Sequence, residues 1–374
     1  MRLLALAGNV DSLIPQIRMR YPLQALVAQR GWQLDVRSFH DCPWQLLARA
    51  DVLIVQRGIS RRAADFQRLA RARGAAVIYE IDDLLTELPE HISNHAAVRA
   101  ALPWLHQCLA TCDLVTVSTE RLGRELAVPQ WALVPNAAWP PGDTDLPPPQ
   151  PGQPVTLLLA STETLAAAFL VPALRAVAGP GVSIVAIGPP ARVLQASGVP
   201  LKAQPLLPRE QFMPWVRSLP NVVAVIPLEN SRFAACKSAV KWFEYGHAGV
   251  PVLASNVSPY ADVITTGITG ELVANDPTAW EQALRRAVRD ATWRHDMARA
   301  AQQDVRARFA FDHMVAAWGA AIGLARDRRA QATVPPLSLA EHLKWLAWRA
   351  LSAPRQALRR FNRERLARRH AART

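Results

Sequence analysis

A chain of 374 residues, half of them hydrophobic, is too long for one ordinary core, so two domains are expected, each large enough to bury most of its apolar surface. No apolar run approaches the length that spans a bilayer, and the opening MRLLALAGNVDSLIPQ turns polar too soon for a secretory leader, so a cytoplasmic location is expected. The formal net charge is +13, but Ser338 to Thr374 holds ten Lys/Arg against two acids, or +8, which leaves an ordinary +5 elsewhere and argues against nucleic-acid binding by the main body.

In chain order, RLLALAG, QLDVRS, VLIVQRG, AVIYEID and LVTVST read as buried strands. Between them lie the helical stretches QALVAQRG, CPWQLLARA, SRRAADFQRLARARG and a longer one from about Ser93 to Thr111, and ALVPN at 132–136 is a sixth strand. The alternation specifies a parallel sheet with helices on both faces, over residues 1–138. Gly8 and Asn9 end the first strand, where a glycine permits close approach of a ligand to the backbone; a plain tight turn is the alternative. Arg18, Arg20 and Arg57 are candidate cleft cations, Arg57 foremost because it follows VLIVQ, with a surface position as the alternative for each.

Asp82 and Asp83 follow a buried strand directly, which places them at the carboxyl edge of the sheet. A carboxylate there can orient or deprotonate an acceptor hydroxyl. Helix N-capping is the alternative, and it needs only one of the two. Ser118 and Thr119 are read chiefly as a cap before ERLGREL. Cys42, Cys108, Cys112 and Cys236 show no CxxC pair and read as buried free thiols, and His91 and His95 have no further ligands nearby, so no metal is expected.

Residues 139–154, WPPGDTDLPPPQPGQP, hold seven prolines and two glycines, which mark a semi-rigid linker. A second alternating series follows: VTLLLAS, a helix near 163–178, VSIVAIG, a helix from Arg209, VVAVIPL, a helix inside CKSAVKWFEYGHAGVPVLAS, the strand that ends it, and ELV. Helical segments after Asp276 end near Ala325, and a last helix of this kind often returns to the first domain. The chain is thus expected to hold two doubly wound α/β domains of similar size, the second over 155–325.

Only four of the 43 basic residues are lysines, and two of them, Lys237 and Lys241, stand in the stretch from Cys236 to Ser255. Read as one helix, it sets 237, 241, 244 and 248 on one face, with unpaired N–H groups and the positive dipole end in its first turn. These features suit an anion such as a diphosphate. Glu244, roughly 10 Å further along at about 1.5 Å per residue, would accept hydrogen bonds from sugar hydroxyls, and Gly249 ends the helix. A solvated helix face is the alternative.

After Pro335 and Pro336, Ser338 and Glu341 make a capping box that opens a helix. Leu339, Leu343, Leu346, Ala350 and Leu351 form an apolar side flanked by Trp345 and Trp348, and Leu358 and Phe361 continue it among arginines. The tail, 335–374, is read as an amphipathic element for an anionic membrane surface. A solvated helix and a nucleic-acid segment are the alternatives.

The stretch around Glu244 resembles the donor-binding helix of GT-B nucleotide-sugar glycosyltransferases, particularly family 4, in which E-x7-E precedes Gly-x-Pro-Val and a Ser-ending strand. Glu244 matches the second glutamate, and GVPVLASNVSPYADVITTGITGELV, 249–273, matches the sequel. PLQALVAQRGWQLDV, ADVLIVQRG, VIYEIDDLLTELP, CDLVTVSTERLGREL and VPNAAW resemble the acceptor domain of a bacterial subgroup, so the likeness covers residues 1 to about 325. It implies two Rossmann-like domains facing a cleft, closing on the linker to exclude water. It also implies retaining transfer of a sugar from a nucleotide-diphosphate sugar to a glycan or lipid-linked acceptor in cell-surface polysaccharide synthesis. The nucleotide sugar is then a co-substrate, with no bound cofactor.

On this resemblance Lys237, Ser238, Lys241, Glu244, Gly188 and Glu229 are donor-binding candidates, Asp82, Asp83 and Lys241 catalytic ones, and Gly8, Asn9, Arg20, Arg57 and Asn136 acceptor-side or cleft residues. The loop at 206–208 resembles a segment that shapes the nucleotide pocket. Two positions depart from the family pattern. Cys236 stands where the first glutamate belongs, so that contact is missing or supplied from elsewhere, as by Glu229, and TETLAAAF replaces the usual basic residue after VTLLLAS. A non-catalytic sugar-nucleotide or glycan-binding relative and a membrane-peripheral assembly protein are the rival readings.

Overall fold

The computed structural model describes residues 1–138, 145–146, 148, 150–161, 169–334, 336–343, 345–346 and 348. They form two compact units, one of Met1–Ile81, Ala97–Val134 and the described residues from Val315 on, the other of Asp82–Ala96 and the described part of Pro135–Met314. Half of the Pro-rich stretch at 139–154 lies outside the described residues.

The first unit is built on a parallel sheet of β1 (Arg2–Ala7), β2 (Gln33–Ser38), β3 (Val52–Gln56), β4 (Ala76–Ile81), β5 (Leu114–Val117) and β6 (Trp131–Leu133), in the order β2-β1-β3-β4-β5-β6. Its helices are α1 (Leu13–Pro15), which runs through a π turn at Gln16–Arg20 into α2 (Tyr21–Arg30), then α3 (Trp44–Arg49), α4 (Arg61–Ala72), α5 (His95–Thr111) and α6 (Glu120–Glu125). Every residue of β3, β4 and β5 is buried, because helices cover both faces of the sheet. The cap expected at Thr119 is in place, its hydroxyl accepting from Leu122 N–H, and the Ser60 hydroxyl likewise accepts from Ala63 N–H.

Two ion pairs brace this unit, Arg18–Glu80 fully buried and Arg71–Asp113 buried on the carboxylate side. Arg18 is fully buried and donates to the Glu80 carboxylate at 2.8 Å and to the Val134 carbonyl at 2.7 Å, so it is an internal tie and not the cleft cation expected from the sequence. Asp113 accepts from Val77 N–H at 2.7 Å and pairs with Arg71 at 2.8 Å; burial, opposed by these donors and by Arg71, raises its pKa. Burial likewise pushes the Cys42, Cys108 and Cys112 thiols up to about 12, as expected of inert cysteines.

The second unit holds β7 (Val155–Ala160), β8 (Val182–Ile187), β9 (Lys202–Gln204), β10 (Val223–Ile226), β11 (Val252–Ser255) and β12 (Glu271–Val273), in the order β12-β11-β10-β7-β8-β9. That is the order of a dinucleotide-binding sheet, whose direction of winding reverses between β7 and β10. Its helices are α7 (Leu170–Val177), α8 (Pro189–Ala196), α9 (Arg209–Ser218), α10 (Arg232–Ala235), α11 (Val240–His247), α12 (Pro277–Arg289) and α13 (Ala291–Arg308). Successive strand residues serve opposite faces: Leu157, Val223, Val225 and Leu253 pack with Trp280 and Leu284 of α12, while Leu158, Ala224, Ile226, Val252 and Ala254 pack with Trp242, Phe243 and Tyr245 of α11.

The last helix, α14 (Phe311–Gln331), enters the first unit at Val315, a division that differs from the sequence-based boundary near 325. The reason is apolar: Val315, Trp318, Ile322 and Ala325 are all buried, and Trp318 Nε1 donates to the Arg18 carbonyl at 2.9 Å. The edge strand β9, with two of its three residues exposed, carries no apolar signal and was not foreseen.

Candidate functional site

In a doubly wound sheet, ligands settle outside the carboxyl ends of the strands where the winding reverses. In the second unit that point is framed by Ser161 after β7, Leu228 and Glu229 after β10, and Ser255 at the end of β11, whose hydroxyl accepts from Leu228 N–H at 2.8 Å. Gly188 follows β8 at φ 79°, and a Cβ on it would lie 2.2 Å from the Ser161 carbonyl oxygen. Two of the loops therefore touch through backbone, and only glycine fits between them. The side chain of Leu206 lies beside the same spot yet is 62% exposed.

The stretch that bears the two lysines is not one helix. Helix α10, capped by the Ser231 hydroxyl on Ala234 N–H, stops at Ala235, and α11 starts only at Val240. Residues 237, 241, 244 and 248 therefore do not share a helical face, which corrects the sequence reading. Lys237 and Ser238 lie in the break, with the Lys237 ammonium 4.7 Å from the centre of the Phe233 ring. Lys241 and Glu244 remain together on α11, whose preceding residue, Ala239, offers no side-chain acceptor to the first-turn N–H groups. The far end is as expected: Gly249 at φ 70° closes α11, with Val250 N–H donating to the Tyr245 carbonyl at 2.9 Å and Gly249 N–H to that of Gly246 at 3.0 Å.

Glu244 has a partner that the sequence did not disclose. Arg209, the first residue of α9, places its guanidinium 3.0 Å from the Glu244 carboxylate, and the two side chains are 21% and 16% exposed. Burial raises the Glu244 pKa, while the charges of Arg209 and Lys241 oppose the shift. The Glu244 carboxylate is thus held through one oxygen by Arg209, with the charge of Lys241 acting on it as well. Arg209 directly follows the 206–208 loop, but no local pattern announces a partner 35 positions further along the chain.

Cys236, in the place of the family's first glutamate, is fully buried. Glu229 sits on the loop after β10 and accepts from the Ser231 hydroxyl at 3.0 Å. The TETLAAAF segment falls at 162–169, outside the described residues except for Phe169.

Among the other candidates, Asn9 closes an Asx turn, its Oδ1 accepting from Asp11 N–H at 3.1 Å, and Arg20 pairs with Asp11 at 3.6 Å. The space a Cβ on Gly8 would enter is open. Arg57 takes φ 44° and donates its N–H to the Glu80 carbonyl at 3.0 Å, and the next residue, Gly58, has no room for a Cβ. Asp82 and Asn136 are buried polar residues, and Asp83 accepts through its carbonyl from Leu85 N–H at 2.9 Å. Only a three-residue turn of helix, Leu85–Glu87, follows the Asp pair, and no side chain caps it. The segment Asp82–Ala96 belongs to the second unit, where Arg232 pairs with Glu87. His91 lies outside any helix and His95 begins α5, so they do not share a helical face; among the described residues no group of three His, Cys, Asp or Glu could hold a metal ion.

Residues 239–304, the segment that runs from the start of α11 through most of α13, match the family model described as glycosyl transferases group 1. Among solved structures, sucrose-phosphate synthase from Thermosynechococcus elongatus is similar at 15% identity and a TM-score of 0.63, covering 88% of this chain and 100% of that one. Anabaena HepE in complex with UDP-glucose is similar at 14% identity and a TM-score of 0.57, covering 86% and 99%. The lipopolysaccharide outer core galactosyltransferase WaaB in its apo form is similar at 14% and 0.55, covering 86% and 99%. The fold is GT-B. No curated protein sequence matches this one. The GT-B resemblance read from the motifs therefore stands, and its most specific part, the run after Glu244, coincides with the matched segment. Among the described residues no helix is long and apolar enough to cross a membrane.

Proposed function

We propose that the protein is a glycosyltransferase that takes a sugar from a nucleotide-diphosphate donor, with retention of configuration, and passes it to a glycan or lipid-linked acceptor in cell-surface polysaccharide synthesis. The observation that carries this reading is the Arg209–Glu244 pair beside Lys241, set on α9 and α11 at the reversal point of a dinucleotide-type sheet, where the family-matched segment begins. In this role the Glu244 oxygen not turned to Arg209 accepts hydrogen bonds from the ribose hydroxyls, and the exposed Leu206 offers an apolar surface to the base. Lys241, with Lys237, Ser238 and the first turn of α11, faces the diphosphate.

In the reaction the bond from the anomeric carbon to the diphosphate oxygen breaks and a bond to the acceptor oxygen forms. The acceptor loses its proton, and the nucleoside diphosphate leaves with the electron pair. Charge on the leaving group grows toward the transition state, so a fixed cation and a helix N-terminus accelerate the step more than they tighten the ground state. Asp82 or Asp83 orients the acceptor hydroxyl. Anabaena HepE has been crystallised with UDP-glucose and with UDP and glucose, which supports a nucleotide sugar as the co-substrate.

The test is thermal stabilisation by a panel of UDP-, GDP-, dTDP- and ADP-sugars, repeated with Lys241→Ala and Glu244→Gln. Selective stabilisation by one donor, lost in both variants, is expected; no stabilisation of the folded wild type by any donor overturns the reading. A second reading, a relative that binds the donor without turning it over, is favoured by the buried Cys236. Release of free sugar or of nucleoside diphosphate from the stabilising donor separates the two.

A further inference from the structure

The described residues of the tail form a helix whose two faces meet different surroundings. Ser338 and Glu341 make the expected capping box, with Ser338 N–H donating to the Glu341 carboxylate at 2.8 Å and Glu341 N–H to the Ser338 hydroxyl at 3.3 Å. Residues 339–343, 345–346 and 348 are helical. At 3.6 residues per turn, Glu341, Trp345 and Trp348 share one face, and Leu339, Leu343 and Leu346 share the opposite one.

The first face is docked on the first unit. Glu341 pairs with Arg68 of α4. Trp345 is only 2% exposed, lies edge-on to Trp44 of α3 at 6.2 Å between ring centres, and sits 5.2 Å from the Arg73 guanidinium. Trp348 meets Phe66 of α4 at 5.1 Å. The opposite face is bare: Leu339, Leu343 and Leu346 are 78%, 57% and 47% exposed. They are three of the eight large hydrophobic side chains exposed among the described residues, brought onto one helical edge.

We propose that this edge is a membrane-contacting surface, with Leu339, Leu343 and Leu346 inserting into an anionic bilayer while Trp345 and Trp348 stay clamped to α3 and α4. The two tryptophans are thus internal anchors that present the leucines, not the interfacial side chains expected from the sequence. Charge selects the partner. Beyond residue 348 the sequence adds nine arginines against one glutamate within 26 residues. An anionic headgroup layer answers both features at once, apolar insertion and dense positive charge. A second copy of this chain would bring the same positive charge to the contact and be repelled.

This inference stands apart from the donor-site reading, and its test keeps the two separate. The full chain, its Leu339→Gln/Leu343→Gln/Leu346→Gln variant and a form ending at residue 348 are floated with vesicles rich in phosphatidylglycerol or made of phosphatidylcholine alone. The wild type is expected to float with the anionic vesicles only. The triple variant and the shortened form should each bind about tenfold more weakly or worse, with nucleotide-sugar stabilisation unchanged. Equal binding by the triple variant, equal binding to neutral vesicles, or no binding by the wild type overturns the proposal. So does a wild-type dimer that the triple variant turns into a monomer. Should the triple variant melt early, a dye on Leu343→Cys decides: its emission rises with anionic vesicles if the edge inserts and stays flat if it does not.

Discussion

Arg209→Ala tests how the Glu244 carboxylate is held. In the wild type, Glu244 is 16% exposed and its pKa is raised by burial, with Arg209 at 3.0 Å and Lys241 opposing the rise. Removing a partner from a fully buried ion pair costs about 3–5 kcal/mol; the residual solvent access of both side chains reduces the expectation here to about 1–3 kcal/mol. The sign of the pH dependence follows from the raised pKa. Because folded Glu244 binds its proton more tightly than the unfolded residue, its contribution to stability is complete below the ordinary glutamate range and falls as pH rises through the folded value. Without Arg209 that value moves higher, so the variant's deficit should be largest well above the folded value and shrink as pH falls through it, because a protonated Glu244 needs no partner. Urea unfolding on both sides of that value measures this, and the Arg209→Ala/Glu244→Gln double variant should recover about 1–3 kcal/mol of coupling. A deficit independent of pH, with no coupling to Glu244, would refute the reasoning.

Two further substitutions probe the frame. Gly188→Ala places a Cβ 2.2 Å from the Ser161 carbonyl oxygen at a φ of 79°, and should cost about 3 kcal/mol or more and weaken donor stabilisation together with the fold; calorimetry with and without nucleotide sugar reads both effects. Asp113→Asn keeps the shape but leaves the half-buried Arg71 without its carboxylate, so a loss of about 1–3 kcal/mol in the first unit is expected from urea unfolding, with the nucleotide-sugar midpoint shift retained.

Most strands of both sheets were legible because parallel strands buried on two faces read as unbroken apolar runs, and VLIVQ, VVAVI and VLAS are such runs. Gly249 was legible as a helix end for a local reason, its left-handed φ. The break between α10 and α11 was not, since CKSAVKW contains no proline or glycine and nothing local forbids its continuing as helix; Ser231 as the cap of a four-residue helix was the one available signal. Arg209 and the true partners of Arg18 were hidden because ion pairing across a fold leaves no periodic trace. In the tail the helical wheel offered two stripes with the same spacing, Glu341–Trp345–Trp348 and Leu339–Leu343–Leu346. Only the side chains of α3 and α4 decide which is covered.

The departure at Cys236 is where the broken helix bears on function. A glutamate there would have to point its carboxylate where the Cys236 thiol is now fully buried, at the carboxyl end of α10 and against that helix's negative pole. Restoring the family residue is therefore not expected to restore a sugar contact. Cys236→Glu should instead cost about 3 kcal/mol or more as an unpaired buried acid, whereas Cys236→Ala should leave donor stabilisation within error of the wild type. Under the proposed function, the carboxylate this loop would offer a donor sugar is that of Glu229, which accepts from the Ser231 hydroxyl at 3.0 Å. On that argument Glu229→Gln, not a change at Cys236, should reduce turnover of the stabilising donor while leaving the melting temperature of the free protein unchanged. A Cys236→Glu protein that folds normally and gains turnover would show that the side chain at 236 can reach the sugar, and would return the role to that position.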